Sequence, residues 1–306
     1  MMSSASEATG LGPVQPELRS LWSAVQGGEC ALRYIDVHGV RTRCLEAGSG
    51  DDVLIFLHGI GGHLEAYQRN ILPHASAGFR VLAIDMLGHG FTDKPDRPYE
   101  IDDYIDHLLD LLEVMGLGSV YLSGESLGGW VAARFASKYP DRIKRLVLNT
   151  AAGMIADPRV MERLKTLSLN AVKSPDKEAV RKRLEFLMAD PSVVTEDLVE
   201  SRYAVYKTPG MLHAMESIMC LQDITVRQRN LLTEDELGKI SVLTLVLWTT
   251  HDPTASVEVG KRLADAIPGA RFVVMEGSGH WPQYEDAQGF NQIHIDFLKG
   301  TDSSGK

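Results

Sequence analysis

The sequence predicts a mostly parallel, doubly wound α/β sheet with an inserted helical cap, on three observations. Six apolar runs, VLIFLH (53–58), RVLAID (80–85), SVYLSG (119–124), RLVLN (145–149), TLVLWT (244–249) and RFVVME (271–276), are continuous rather than alternating. Strands covered on both faces read this way, because neither side of the pleat meets water. Amphipathic helical patterns lie between the runs. In the clearest, Ile101, Tyr104, Ile105, Leu108, Leu112 and Met115 share one face, with Asp102, Asp103, Asp106 and Glu113 opposite. The alternation breaks between about residues 153 and 239, where helical segments follow one another without a convincing strand.

Taken in order, residues 1–29 read as a polar leader ending in a short helix over 16–25 that carries Leu18, Leu21 and Trp22. Segments 31–38 and 40–46 flank Gly39 as a hairpin. The α/β core takes 30–153 and 240–300, and the helical cap takes 154–239. Within the cap, helices are expected over 158–172, 175–188, 195–206 and 211–221, with turns at Asp190-Pro191 and Pro209-Gly210. Residues 301–306, TDSSGK, read as a loose tail.

The 306 residues carry a formal net charge of -10, which disfavours binding to nucleic-acid phosphates or anionic membranes and favours a small-molecule substrate. No run approaches the roughly 18 consecutive apolar residues a membrane helix needs, and the start lacks a signal-peptide pattern, so a cytoplasmic protein is expected. Cys30, Cys44 and Cys220 form no CxxC pair, and the ten histidines include no HxxxH or HExxH pair, so neither a metal nor a cofactor is expected. A homo-oligomer is compatible with all of this.

Chemistry concentrates at Gly124-Glu125-Ser126-Leu127-Gly128, which fits G-x-S-x-G and sits between an apolar strand and an amphipathic helix. A sharp turn there lifts the Ser126 hydroxyl above the sheet edge. A serine needs a base, and His280, in the GSGHWP loop after the last strand run, is the candidate; His251 and His89 compete. Asp252, after TLVLWT, can fix the imidazole tautomer and stabilise its cation. An oxyanion would be held by the backbone N–H groups of Leu127 and of Ile60, the latter in the loop His58-Gly59-Ile60-Gly61-Gly62. A dinucleotide-binding turn is the alternative for that loop, but the third glycine is missing at the needed spacing. Asp85-Met86-Leu87-Gly88-His89-Gly90 reads as a structural turn.

With these pieces placed, the chain from about Val53 to Leu298 resembles the α/β-hydrolase fold family in the order Ser126, Asp252, His280 and in its HGxGG, DxxGHG and GxGH segments. Within it, Tyr67-x-Arg69-Asn70, Trp281 and Arg202 make the sequence similar to the meta-cleavage product hydrolases, which cleave a carbon–carbon bond in 2-hydroxy-6-oxo-2,4-dienoates from aromatic degradation. The resemblance implies that Arg202 holds the dienoate carboxylate, with Gly59, Glu125 and Trp281 also against substrate. Two positions depart from it: Glu125 stands where the family carries asparagine, and Ala66 replaces a second polar residue. A carboxylate at 125 repels an anionic substrate unless it is neutralised or protonated. Ester or lactone hydrolysis on the same residues is the first alternative, a cofactor-free dioxygenase of the fold the second, and a non-catalytic receptor on the scaffold the third.

Overall fold

The computed structural model describes residues 20–173 and 175–301. Eight strands form one sheet: β1 (Cys30–Val37), β2 (Val40–Ala47), β3 (Val53–Leu57), β4 (Arg80–Ile84), β5 (Val120–Glu125), β6 (Ile143–Asn149), β7 (Thr244–Thr249) and β8 (Arg271–Met275), in the order β1-β2-β4-β3-β5-β6-β7-β8. β1 and β2 make the expected antiparallel hairpin, turning through His38 and Gly39, which both have positive φ. β2 also pairs antiparallel with β4, and every pair from β4 to β8 is parallel. All residues of β3 and β7 are buried, as continuous apolar runs require.

Twelve α-helices lie among the described residues. Core helices α1 (Gln68–Ser76), α2 (Ile101–Val114) and α3 (Leu127–Lys138) follow strands β3 to β5. Between β6 and β7 run α4 (Pro158–Lys173), α5 (Lys177–Glu185), α6 (Glu196–Tyr206), α7 (Met211–Ile218), α8 (Ile224–Asn230) and α9 (Glu234–Leu237), with no strand among them. α10 (Val257–Ala266), α11 (Pro282–Glu285) and α12 (Ala287–Lys299) close the fold.

Side-chain caps set several boundaries. Asp176 accepts from the N–H groups of Glu178 and Ala179, so α5 begins two residues later than the 175–188 pattern suggests. Asp223 caps α8 in the same way, starting a helix beyond the last one expected from periodicity. The leader helix expected over 16–25 is represented by a single 3₁₀ turn, Trp22–Val25; residues 1–19 and most of the expected tail, 302–306, lie outside the described residues.

Candidate active site

The carboxyl ends of β5, β7 and β8 converge on one cavity roofed by the 154–239 helices. Between β5 and α3 the chain reverses on Ser126, which has φ 53° and ψ −113°. Such a conformation costs a non-glycine residue about 1–3 kcal/mol and persists only where surroundings enforce it. Here its N–H donates to Asn149 O at 3.1 Å, and its own carbonyl accepts from Trp130 N–H at 3.0 Å and Ala152 N–H at 2.9 Å. The flanking glycines are steric necessities: a Cβ on Gly128 would fall 2.2 Å from Leu57 O, and one on Gly124 would fall 2.1 Å from Gly128 O.

His280 lies in the loop between β8 and α11, with Nδ1 2.9 Å from Asp252 Oδ2. Asp252 Oδ1 accepts from Thr254 N–H at 2.8 Å and from its hydroxyl at 2.7 Å, which holds the carboxylate in line. The histidine backbone is pinned on both sides: its N–H donates to Leu187 O at 2.7 Å, and Thr150 Oγ1 donates to its carbonyl at 3.0 Å. Burial is the largest influence on the imidazole and disfavours its cation. The Asp252 charge and hydrogen bond, with the Glu125 charge, outweigh it and raise the His280 pKa. Of the competing histidines, His251 bonds Thr250 Oγ1 at 2.9 Å, and burial pushes His89 down to about 3; neither lines the cavity.

Ser126 lines the cavity, but no hydrogen bond joins its hydroxyl to His280. Instead His280 Nε2 lies 3.2 Å from Glu125 Oε1. Glu125 is fully buried, and burial, reinforced by the Asp252 charge, raises its pKa to about 7. The Glu125 carboxylate fills the space beside Gly59, where a Cβ would fall 2.4 Å from Oε2. Ile60 and Leu127 stand in the same wall as Ser126. Leu127 N–H opens α3, where a helix has no internal acceptor for it, and Ile60 N–H donates to no backbone acceptor among the described residues. A type of brace holds the Ile60 loop: Gly62 N–H donates to Gly59 O at 2.9 Å and the Tyr206 hydroxyl to Gly61 O at 2.9 Å.

The cationic wall differs from the one the sequence suggested. Trp281 lines the cavity, whereas Arg202 does not. Its guanidinium carbon sits 5.1 Å over the Trp281 ring, its Nε lies 3.4 Å from His63 Nε2, and Nη1 and Nη2 are buried without partners. Arg202 thus packs on the Trp281 ring, and the indole itself lines the cavity. Arg183 of α5 lines the cavity, bonds Ser168 Oγ at 3.0 Å through Nε and Ile60 O at 3.4 Å through Nη2, and leaves Nη1 buried and unpartnered. Burial pulls its pKa down to about 10. Within KEAVRKRLE, Val180, Arg183 and Leu184 share one buried helical face, and that spacing was the available signal. Arg227 and Gln222, which also line the cavity, carried none.

Other singled-out residues are structural. Asp85 Oδ1 accepts from Leu64 N–H at 2.7 Å and Oδ2 from Phe91 N–H at 2.8 Å, so the DxxGHG segment is a braced turn. Tyr67 donates to Leu57 O at 3.0 Å, Asn70 donates to Gln283 O at 3.1 Å, and Arg69 donates to Tyr284 O; these tie α1 to the sheet and to α11 rather than lining the cavity.

A serine on a strained strand-to-helix turn, with a histidine and an aspartate on later strand ends, is the site plan of a hydrolase. The alpha/beta hydrolase fold profile matches residues 52–287, and the chain belongs to that family. It is 30% identical over 275 residues to the 2-hydroxy-6-oxo-2,4-heptadienoate hydrolase of Pseudomonas putida, covering 88% of this chain and 97% of the relative. The 2-hydroxy-6-oxononadienedioate/2-hydroxy-6-oxononatrienedioate hydrolase of Cupriavidus pinatubonensis is 29% identical over 84% of this chain and 90% of its own. Among solved structures, the meta-cleavage product hydrolase of Pseudomonas fluorescens superposes with a TM-score of 0.76 at 26% identity, covering 88% of this chain and 98% of that one. The protein is thus an α/β-fold hydrolase similar to the meta-cleavage product hydrolases. No helix among the described residues is long and apolar enough to cross a membrane.

Proposed function

We propose that this enzyme hydrolyses the C5–C6 bond of a 2-hydroxy-6-oxo-2,4-dienoate, with Ser126 as nucleophile, His280 as proton carrier and Asp252 as its orienting acid. The observation that carries the reading is the cavity itself, which is lined by Ser126, His280 and Arg183, whose Nη1 is buried without a partner. Relatives across nearly the whole chain that act on such dienoates support it.

In this reading Arg183 holds the substrate carboxylate through a charge-assisted hydrogen bond. The dienol first ketonises, its 2-hydroxyl losing a proton and C5 gaining one, with His280 moving the proton. The C2 carbonyl then becomes an electron sink for C5. Ser126 Oγ, deprotonated by His280, attacks C6, and the alkoxide rests on the N–H groups of Leu127 and Ile60. Collapse breaks C5–C6; the bond pair runs back through the chain to the C2 oxygen, which takes the proton His280 removed from Ser126, and the dienol acid departs. Water, activated by His280, then releases the acyl group from Ser126 as a carboxylic acid. For Nε2 to reach the serine, His280 must give up its approach to Glu125, which a protonated Glu125 permits.

Glu125 also favours a second reading, hydrolysis of a neutral ester or lactone, since an ionised carboxylate at the nucleophile repels an anion. The two are separated by giving the purified enzyme a chromogenic dienoate and a short-chain p-nitrophenyl ester, beside Ser126→Ala. We expect rapid loss of the dienoate chromophore, slower ester cleavage, and neither with the alanine variant. Full hydrolytic turnover by Ser126→Ala would sink the nucleophile assignment.

A further inference from the structure

Arg227 forms part of the same cavity wall from α8. Its Nε donates to Ile155 O at 2.9 Å, its Nη1 reaches Leu221 O at 3.5 Å, and its guanidinium carbon stands 5.1 Å over the Trp130 ring. The residue is only 9% exposed, and burial alone pulls its pKa down to about 10, so it remains a cation at neutral pH. No acidic side chain among the described residues pairs with it, and Nη2 donates to nothing. A desolvated cation without a counter-ion is costly to keep.

The same cavity holds a second group with unused donors. Gln222 lines it, is 8% exposed, and its side chain makes no hydrogen bond among the described residues, so its Nε2 can donate to a ligand. A cation and a free carboxamide on one wall match the two oxygens of a carboxylate. Neither belongs to the serine end. Arg183 reaches the cavity from α5 and bonds the Ile60 loop, whereas Arg227 reaches it from α8 and bonds Ile155 O and Leu221 O. The two guanidinium groups thus stand on different elements of the wall, with Met154, Val160 and Leu164 supplying apolar wall to the same cavity.

We propose that Arg227 and Gln222 form a second carboxylate subsite that receives the distal arm of the substrate, so that the preferred dienoate is a dianion. The inference rests on the dienoate hydrolase reading above. The dienoate carboxylate pairs with Arg183, the C6 ketone lies over Ser126, and the arm beyond C6 runs along the apolar wall to Arg227.

The test compares kcat/KM for 2-hydroxy-6-oxohepta-2,4-dienoate, with a methyl arm, and 2-hydroxy-6-oxonona-2,4-dienedioate, with a carboxyethyl arm. The unmodified enzyme is expected to prefer the dianion at least tenfold. Truncating one partner of a buried, hydrogen-bonded charge pair costs on the order of 30-fold or more. Arg227→Met should therefore raise KM for the dianion by about that factor, and by less than about threefold for the methyl compound; Arg227→Lys should restore part of the loss. Gln222→Ala should give a smaller loss confined to the dianion. Equal kcat/KM for both compounds with the unmodified enzyme overturns the subsite while leaving the hydrolase reading standing, and needs no variant to fold. Turnover of neither compound, with the ester cleaved, overturns both.

Discussion

The sheet edge and the cap wall of this cavity obey different rules. At the sheet edge each functional group sits on a backbone feature written locally in sequence: Ser126 between strand and helix, Asp252 and His280 just past β7 and β8. Asp252 and His280 are also mutually bonded there, with Asp252 held by Thr254 as well. On the cap side the charged groups are buried and incompletely paired. Arg183 Nη1 and both terminal nitrogens of Arg202 lack partners. Satisfied groups hold a site in place, and an unsatisfied one on a cavity wall, such as Arg183 Nη1, is free to meet a ligand. Mutations at the two places should accordingly separate kcat from KM.

The largest effect is expected at the edge. Ser126→Ala should lower kcat at least about 1000-fold with little change in substrate affinity, because only the attacking atom is lost. Stopped-flow observation of the dienoate chromophore in that variant checks both halves. Next comes the cap: Arg183→Met should raise KM for the dienoate by about 30-fold or more while changing ester hydrolysis only a few-fold. Equal losses on both substrates would mean that Arg183 acts through its bond to Ile60 O, as a brace of the oxyanion loop, and the division between edge and cap would fail.

The same division explains what could be read from the chain before it was folded. The parallel sheet was legible because β3, β5, β6 and β7 are continuous apolar runs, and the G-x-S-x-G turn was legible because close backbone packing, of Gly128 on Leu57 and of Gly124 on Gly128, demands its glycines. Arg202 illustrates what was not. Local sequence puts it on α6, but whether a helical arginine meets a cavity or the back of an indole depends on how α6 packs against the 280s loop, through contacts some 80 positions apart. Arg183, inside a run of charges, is held in the wall by α4 and the Ile60 loop, through Ser168 and Ile60. Helix boundaries in the cap were set by Asp176 and Asp223, whose capping roles periodicity does not register.

Glu125 joins the two regions, and its effect should be intermediate and dependent on pH. Its folded pKa is raised to about 7, so the folded state holds a proton that the unfolded chain has released. Stability therefore falls as pH rises from about 4.5 through 7 and levels off above. His280, also raised, adds stability below its unfolded pKa that is lost as pH climbs through the folded value, so both slopes have one sign. Glu125→Gln should flatten the first component, and its melting temperature should gain on the parent protein between pH 5 and about 8. In the parent, KM for an anionic dienoate should rise above pH of about 7 as the carboxylate ionises beside the nucleophile; in Glu125→Gln that rise should vanish. An identical KM profile in the two proteins would remove Glu125 from substrate recognition.

The smallest expected effect concerns the join between edge and cap. Glu285 at the end of α11 accepts from Gly279 N–H at 2.9 Å through Oε1 and from Ala189 N–H at 2.7 Å through Oε2. One carboxylate thus ties the residue before His280 to the cap residue beyond α5. Gly279 has no room to adapt, since a Cβ there would fall 2.5 Å from Ala189 N. Removing the carboxylate leaves two backbone donors without an acceptor, a loss of about 1–3 kcal/mol. Glu285→Ala should lower the melting temperature by several degrees. If the tie only secures the fold, kcat and KM for the dienoate stay within about twofold at temperatures well below the transition. A selective fall in kcat with KM unchanged would instead mean that the cap, through Glu285, holds His280 in its working position, and the edge would no longer be independent of the wall above it.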